Sequence, residues 1–341
     1  MGKLKSFSPS EIKMLSRSSS SEPRLGKQVK FLSNSIPIYD QLKSLDVDYV
    51  IFGIPEDIGS FAQNGKRGGV ETWALTIRAF LKLPDNPFID ANKVAVLGYL
   101  DFSKEEEKML TLNIEKSADR KKARDLVSKI DAEVSKLVHD IVSANKIPIV
   151  IGGGHNNAYG LIKGCSLALN QSVNVINLDA HADFGIPEGR HNGNAFSYAF
   201  NEGFLQKYFI FGLHENYIPK HLAATLKKLS KRIKYNTFED LSIRRKLKYG
   251  QEIDRATSFV SDTAFGLELD CDVMEHIPAV TLSPSGLSVN QVRRLIYRLS
   301  NEKNLRYFHI SGLAPERTSK RKKKYYGKLV AYLICDLLRD H

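Results

Sequence analysis

Three short apolar segments of this sequence each run into a group of acidic and histidine side chains. Val173–Leu178 is rich in β-branched side chains, as buried strands are, and Asp-Ala-His-Ala-Asp follows it directly. Ile147–Ile151 leads into Gly-Gly-Gly-His, and residues 265–269 lead into Asp-Cys-Asp. The six candidate metal ligands at these strand ends are His155, Asp179, His181, Asp183, Asp270 and Asp272.

Carboxylates and imidazoles in this combination suit a hard to borderline divalent cation such as Mn²⁺. In open α/β sheets, ligands bind outside the carboxyl ends of the strands, which is where these groups lie. Side chains alternate along an extended backbone. Asp179, His181 and Asp183 should therefore point the same way if the strand conformation continues, and Cys271 should point into the core. A solvated turn would explain one such group, but the recurrence at three strand ends predicts a metal site.

In this order, the three motifs resemble those of the ureohydrolase family, which includes arginase, agmatinase and formimidoylglutamase. The matching segments are residues 152–155, 179–183 and 270–272, and the resemblance extends from about residue 48 to the C-terminus. The Gly-Gly-Gly-His form is more similar to the formimidoylglutamase branch. The resemblance implies hydrolysis of a C–N bond in a linear amidine, either formimidoylglutamate or a guanidino compound such as arginine.

The resemblance also implies two Mn²⁺ ions per chain, which activate a shared water molecule for attack on the amidine carbon. In this arrangement Asp179 and Asp270 would bridge the two ions. The other four ligands would complete the two shells, His155 together with Asp183 and His181 together with Asp272.

Catalytic and substrate-binding residues are implied by the same resemblance. Asp183 would accept a hydrogen bond from the attacking water. His191 would relay protons or touch the substrate, although a histidine in a surface loop is an equally good interpretation. The residues expected to contact the substrate are Arg190, Asn192 and Glu316.

Three positions depart from the family pattern. Gly312 stands where the family usually has a glutamate that anchors the cationic nitrogen of the substrate, Glu268 stands where a serine is common, and Gly185 replaces a polar residue. Because glycine offers no anchor, we expect Gly312→Glu to raise activity if the chain is a hydrolase. The same position supports an alternative, in which the chain keeps its metals but acts as a binding or scaffold subunit.

Strand-like and helix-like segments alternate from residue 48 onward, which predicts a single α/β domain of three layers, α/β/α, with a mostly parallel sheet. We assign residues 36–341 to this catalytic domain and residues 1–35 to a polar N-terminal extension. In the extension, Ser8 and Glu11 form a capping box that starts a short helix, and a serine run at 18–21 ends it. Besides the three ligand-bearing segments, strands are predicted at residues 49–54, 94–97, 208–213 and 305–310. Helices are predicted at residues 70–81, 116–144, 158–168, 220–248, 288–299 and 329–338.

The 341 residues carry a formal net charge of +12, and the densest basic run is residues 320–324. We expect this run to be a solvated loop and not a nucleic-acid site, since no nucleic-acid motif surrounds it. Three scattered cysteines favour a reducing compartment, and no apolar run approaches the roughly 18 residues of a membrane span. These features favour a cytoplasmic protein, and from the resemblance we also expect a homo-oligomer that acts on a small molecule.

Overall fold

The computed structural model describes residues 3–16, 22–32 and 36–339. The strands within these residues are β1 (Leu4–Lys5), β2 (Lys30–Phe31), β3 (Tyr49–Gly53), β4 (Val94–Leu100), β5 (Ile147–Ile151), β6 (Val173–Leu178), β7 (Leu205–Leu213), β8 (Ile233–Thr237), β9 (Phe265–Asp270) and β10 (Leu305–Ser311). The helices are α1 (Pro9–Leu15), α2 (Ile38–Ser44), α3 (Ile58–Asn64), α4 (Thr72–Leu81), α5 (Ser103–Met109), α6 (Ser117–Ser143), α7 (Asn157–Leu169), α8 (Ala195–Asn201), α9 (Lys220–Lys228), α10 (Tyr249–Val260), α11 (Val289–Leu299) and α12 (Lys320–Leu338).

The strands form one sheet in the order β1-β4-β3-β5-β10-β9-β6-β7-β8, and β2 also pairs with β4. Every pair is parallel except β1 with β4. Adjacent residues of β5, such as Ile149 and Val150, belong to different hydrophobic clusters, because side chains alternate between the faces of a strand. Helices α4, α10, α11 and α12 contribute to one cluster and α2, α6 and α7 to the other. The predicted three-layer α/β/α fold is confirmed.

The described part of the first 35 residues packs against this sheet. Leu4 and Lys5 pair with Leu100 and Tyr99 of β4, and Leu25 is fully buried in the core. Helix α1 begins at the expected capping box, in which the Ser8 and Glu11 side chains each accept the other's backbone N–H. The serine run at 18–21 lies outside the described residues, and the domain boundary at residue 35 stays a prediction.

The segment 220–248 was predicted to be mostly helical, and this prediction is wrong over its second half. Helix α9 ends at Lys228, and the chain then forms β8 at the edge of the sheet. In β8, two exposed residues, Lys234 and Tyr235, lie between buried Ile233 and buried Asn236. The strand therefore lacks the regular alternation of apolar and polar residues that would have identified it in this basic stretch. Lysine is common on edge strands because it opposes pairing with another chain.

The basic run at 320–324 is the start of helix α12 and not a loop, so the helix begins at Lys320 instead of the predicted residue 329. Lysine and arginine are good helix formers, Ser319 caps the helix by accepting the N–H of Lys322, and Lys323 pairs with Glu71 at 2.5 Å. The other four members of the run are exposed, as expected: Lys320, Arg321, Lys322 and Lys324.

The three cysteines are free and buried. Cys271 lies in the hydrophobic core, which confirms that its side chain points away from its acidic neighbours. Among residues 3–16, 22–32 and 36–339, no helix combines the length and the apolar character that crossing a bilayer requires.

Candidate metal centre

The predicted ligands follow three strands, β5, β6 and β9, and β10 lies between β5 and β9 in the sheet. These strands are parallel, so their carboxyl ends meet at the same edge. His155 follows a sharp turn after β5, in which Gly152 and Gly153 both adopt positive φ angles. The acidic groups follow β6 and β9, with Asp270 as the last residue of β9.

The first histidine, His155, faces three carboxylates. Its Nδ1 lies 2.9 Å from Asp183 Oδ2, 3.2 Å from Asp179 Oδ2 and 3.4 Å from Asp270 Oδ2. The ring is fully buried, and neither of its nitrogens makes a hydrogen bond to a described residue. A buried imidazole nitrogen that faces three carboxylate oxygens fits metal coordination.

The second histidine, His181, shares one of these carboxylates. Its Nδ1 lies 2.8 Å from Asp272 Oδ2 and 3.6 Å from Asp179 Oδ1. Asp179 therefore presents one oxygen to each histidine. Five of the six predicted ligands form two overlapping groups that could hold metal ions, and the sixth, Asp183, contacts His155 beside them.

Asp183 reaches the cluster by a route that strand alternation did not predict. Strand β6 ends at Leu178, and Asp183 adopts a left-handed backbone conformation with φ of 43°. The condition for aligning residues 179–183, an extended backbone that continues to residue 183, is therefore not met. The turn carries the Asp183 carboxylate to His155 instead.

The electrostatics of the cluster call for a cation. Burial, followed by repulsion from Asp272 and Asp179, raises the pKa of Asp270 well above its usual range. Burial and the neighbouring Asp179 also raise the pKa values of Asp183 and Asp272. Buried carboxylates are costly unless a positive charge compensates them. The donor set of four carboxylates and two imidazoles fits Mn²⁺.

Hydrogen bonds within the loops fix the carboxylates in place. Asp179 Oδ1 accepts the N–H of His181 at 2.6 Å, and Asp270 Oδ1 accepts the N–H of Asp272 at 2.9 Å. The Asn177 side chain donates to Asp179 Oδ2 at 3.0 Å. Sequence analysis missed Asn177, although an asparagine inside a mostly apolar buried strand was a signal.

Three rings form a stack beside His181. Tyr217 stacks on His181 with ring centroids 4.2 Å apart, His214 follows at 5.8 Å, and Phe238 stacks on His214 at 4.7 Å. His181 is the most exposed of the six ligands, with 27% of its side chain accessible. Tyr217 therefore borders the open side of the cluster, and sequence analysis did not identify it.

The loop after β3 supports the turn that carries His155. Glu56 is fully buried and accepts hydrogen bonds from Asn157 Nδ2 at 2.6 Å and from the N–H of Gly154 at 3.4 Å. Burial and the nearby Glu106 raise the pKa of Glu56 to about 8. The neighbouring Asp57 accepts from the N–H of Gly68 at 2.7 Å. The described contacts of Glu56 and Asp57 therefore hold neighbouring loops in place and do not reach the ligand cluster.

Arg190 has a different environment from the one predicted. All five of its N–H groups donate to protein acceptors, which are both carboxylate oxygens of Asp131, the backbone oxygens of Asn156 and His191, and Asn194 Oδ1. The side chain is buried between the rings of Tyr159 and Tyr198. The geometry argues against the predicted substrate contact, because no donor is left over.

The other two predicted substrate residues also have protein partners. Asn192 is buried, donates to Ser60 Oγ at 2.8 Å and accepts from the N–H of Asn156 at 3.1 Å. Glu316 is exposed and accepts from the N–H of Glu71 at 2.9 Å. Their contacts tie loops together, and a role in substrate binding stays a prediction for both.

His191 is buried, so its interpretation as a surface-loop histidine is wrong. Its Nδ1 accepts the N–H of Gly193 at 3.2 Å, and its Nε2 lies 3.9 Å from Glu188. Burial, together with Arg124 and Arg190, lowers the pKa of His191 to about 4. The ring is therefore neutral at pH 7, and its predicted catalytic role is not tested by these contacts.

His191→Asn is expected to make the fold less sensitive to acid. Between pH 6.5 and about 4, the unfolded chain binds a proton at His191 that the folded chain refuses, so this residue lowers the free energy of unfolding as pH falls. Asparagine keeps the cap on Gly193 without titrating. Between pH 7.5 and 4.5, the variant should lose roughly 2–3 kcal/mol less stability than the parent. Denaturant unfolding at both pH values measures this difference.

The control is His139→Asn, since the side chain of His139 is half-exposed. Equal losses of stability in His191→Asn and the parent would contradict the prediction.

Solved structures of known proteins share this fold. Formimidoylglutamase from Bacillus subtilis superposes with a TM-score of 0.72 at 15% identity, covering 94% of this chain and 93% of that one. Formiminoglutamase from Trypanosoma cruzi with Mn²⁺ superposes with a TM-score of 0.71 at 19% identity, covering 93% and 98%. The formimidoylglutamase of Streptococcus pyogenes serotype M12 (strain MGAS2096) is 26% identical over 278 residues, which are 78% of this chain and 77% of that protein. The fold and the ligand groups place the chain among hydrolases that act on the C–N bonds of linear amidines.

The chain belongs to the arginase family, whose profile matches residues 47–338. The resemblance to ureohydrolases drawn from the three motifs is thereby confirmed, including its similarity to formimidoylglutamases.

Proposed function

We propose that this chain is a Mn²⁺-dependent hydrolase with two ions per chain, and that it cleaves formimidoylglutamate or a guanidino compound such as arginine. The observation that carries the proposal is the pair of ligand groups that share Asp179. The names of the similar proteins support it, since several are formimidoylglutamases and one was crystallised with Mn²⁺.

The contacts of the two histidines divide the six ligands between the two ions. His155, Asp183 and the shared Asp179 would hold one ion, and His181 with Asp272 would hold the other. Asp270 would serve as the second bridge. Bound Mn²⁺ would supply Lewis acidity and lower the pKa of a water molecule.

Asp183 is the residue best placed to orient that water. Its carboxylate is partly exposed, at 13% of the side chain, whereas that of Asp179 is almost fully buried. The left-handed turn at Asp183 holds the group at the edge of the cluster. Asp183 would accept a hydrogen bond from the attacking water and direct it to the amidine carbon.

The proposal is tested with the Mn²⁺-loaded protein against formimidoylglutamate, arginine, agmatine, guanidinobutyrate and guanidine. Product release is measured for the parent and for Asp183→Asn, which keeps the size of the side chain but removes its charge. The parent should hydrolyse at least one compound, and Asp183→Asn should be slower by roughly 100-fold or more, the usual range for a positioned acid–base group. If the parent holds both ions and cleaves none of the compounds, the binding or scaffold alternative becomes the better interpretation.

We also propose that the chain acts in the cytoplasm as a homo-oligomer, with a small-molecule substrate and without a nucleic-acid partner. Three free, buried thiols are compatible with a reducing compartment. Residues 36–341 would form the catalytic domain, and residues 1–35 would be an N-terminal extension, of which β1 and β2 pair with β4.

A further inference from the structure

A second polar pair lies behind His155, on the side opposite the carboxylate cluster. Glu268 of β9 and His309 of β10 are directly opposite each other in the parallel pairing, and both are fully buried. His309 Nδ1 lies 2.6 Å from Glu268 Oε2, so the imidazole N–H donates to the carboxylate. The same Oε2 lies 3.6 Å from His155 Nε2.

His155 is therefore placed between two sets of carboxylates. Its Nδ1 faces Asp183, Asp179 and Asp270, and its Nε2 faces Glu268. A neutral imidazole has one N–H donor and one acceptor nitrogen, and a carboxylate can only accept. Glu268 consequently favours the tautomer that has its proton on Nε2 and a free lone pair on Nδ1.

A buried carboxylate at this position needs a reason. Burying an ionised group costs free energy unless a partner compensates it. His309 provides one partner, and the buried Nε2 of His155, which lacks a hydrogen bond to the described residues, provides the position for a second.

We propose that Glu268 is a positioning residue for the metal, held by His309, that fixes the ring of His155 with Nδ1 directed at the ion. A carboxylate behind a metal-bound histidine sets the tautomer and raises the basicity of the ligand nitrogen. The His155 ring also packs against Phe196 in a T-shaped contact, with centroids 5.3 Å apart, which limits its rotation. The inference rests on the metal part of the proposed function and not on its substrate.

The experiment measures Mn²⁺ binding without substrate. In Glu268→Gln the side chain keeps its shape but loses its charge, and the affinity for one of two ions should fall by about 10- to 100-fold, as for other partners of metal ligands. The electron paramagnetic resonance signal should shift from a coupled pair towards a single ion. The thermal midpoint of the metal-free protein should not fall. Glu252→Gln is the control, since Glu252 is also buried but binds Asn236 and Arg255 instead.

A second pair of variants covers the case in which Glu268→Gln does not fold. His309→Leu removes the donor to Glu268, and His309→Asn places an amide N–H at the position of Nδ1. Weaker Mn²⁺ binding in His309→Leu that is rescued in His309→Asn supports the inference. Parental affinity and an unchanged resonance signal in folded Glu268→Gln, or in both His309 variants, would overturn it.

These results are separable from the proposed function. A parent that binds two ions but hydrolyses nothing would refute the hydrolase assignment and leave the role of Glu268 open to the same binding measurement. An active parent whose Glu268→Gln variant binds Mn²⁺ with parental affinity would support the hydrolase assignment and refute the role of Glu268.

Discussion

Alanine at Asp179 is expected to abolish binding of both metal ions. One oxygen of this carboxylate faces His155 and the other faces His181, so its removal opens both ligand groups. Asp270→Ala should also release both ions if Asp270 is the second bridge. The metal content of each purified variant after dialysis measures the loss, and hydrolysis should fall to background with it.

The two variants differ in how much they can reveal. Asp179 belongs to both ligand groups, whereas Asp270 belongs to the group of His155 alone. Retention of one ion in Asp270→Ala would restrict Asp270 to a single shell, and full retention in either variant would refute the ligand assignment. Asp46→Ala is the control, because Asp46 is highly exposed and pairs only with Lys93 in its described contacts.

Gly312→Glu is expected to disrupt the metal centre, and this reverses the expectation drawn from the sequence. Gly312 has a φ of 75°, which is strained for any other residue. A Cβ atom built on it would overlap the carboxylate of Asp270. The overlap arises because β10 lies beside β9, with Ser311 directly opposite Asp270. Adding a carboxylate there would displace a ligand before it could reach a substrate.

Gly312→Ala separates this steric effect from the effect of charge. We expect both substitutions to lower Mn²⁺ content and kcat/KM, with the alanine alone already causing most of the loss. Gly203→Ala is a matched control, since Gly203 has a similar φ of 82° but nothing within 4 Å of its added Cβ. That variant should lose about 1 kcal/mol of stability from backbone strain and keep its metals. Gly312→Ala with full metal content would show that Asp270 can move aside.

The sequence predicted the elements whose signal is local. Ile147–Ile151 and Val173–Leu178 are found at the predicted residues because an apolar, β-branched run has few alternatives to a buried strand. The ligand clusters follow such strands directly, so a parallel sheet was sufficient to bring them together. The cap at Ser288 likewise set the start of α11, through its hydrogen bond with Gln291.

The remaining features depend on contacts that are distant in sequence. Arg190 was assigned to the substrate from the family resemblance, and its partner Asp131 lies on α6, far from it along the chain. The left-handed backbone of Asp183 leaves no mark in the amino-acid pattern. The role of Gly312 could not be predicted, since the proximity of Asp270 depends on which strands are neighbours. In each case the residue type was correctly noted, but its surroundings came only from the fold.

Gly312 also restricts how this sequence can change over evolutionary time. A single substitution of Gly312 by glutamate would give a variant whose side chain collides with Asp270. Selection would remove this variant before any benefit of the new carboxylate appeared. The backbone at residue 312 would have to leave its left-handed conformation first. We therefore expect descendants of this chain to keep the glycine and to diverge around it.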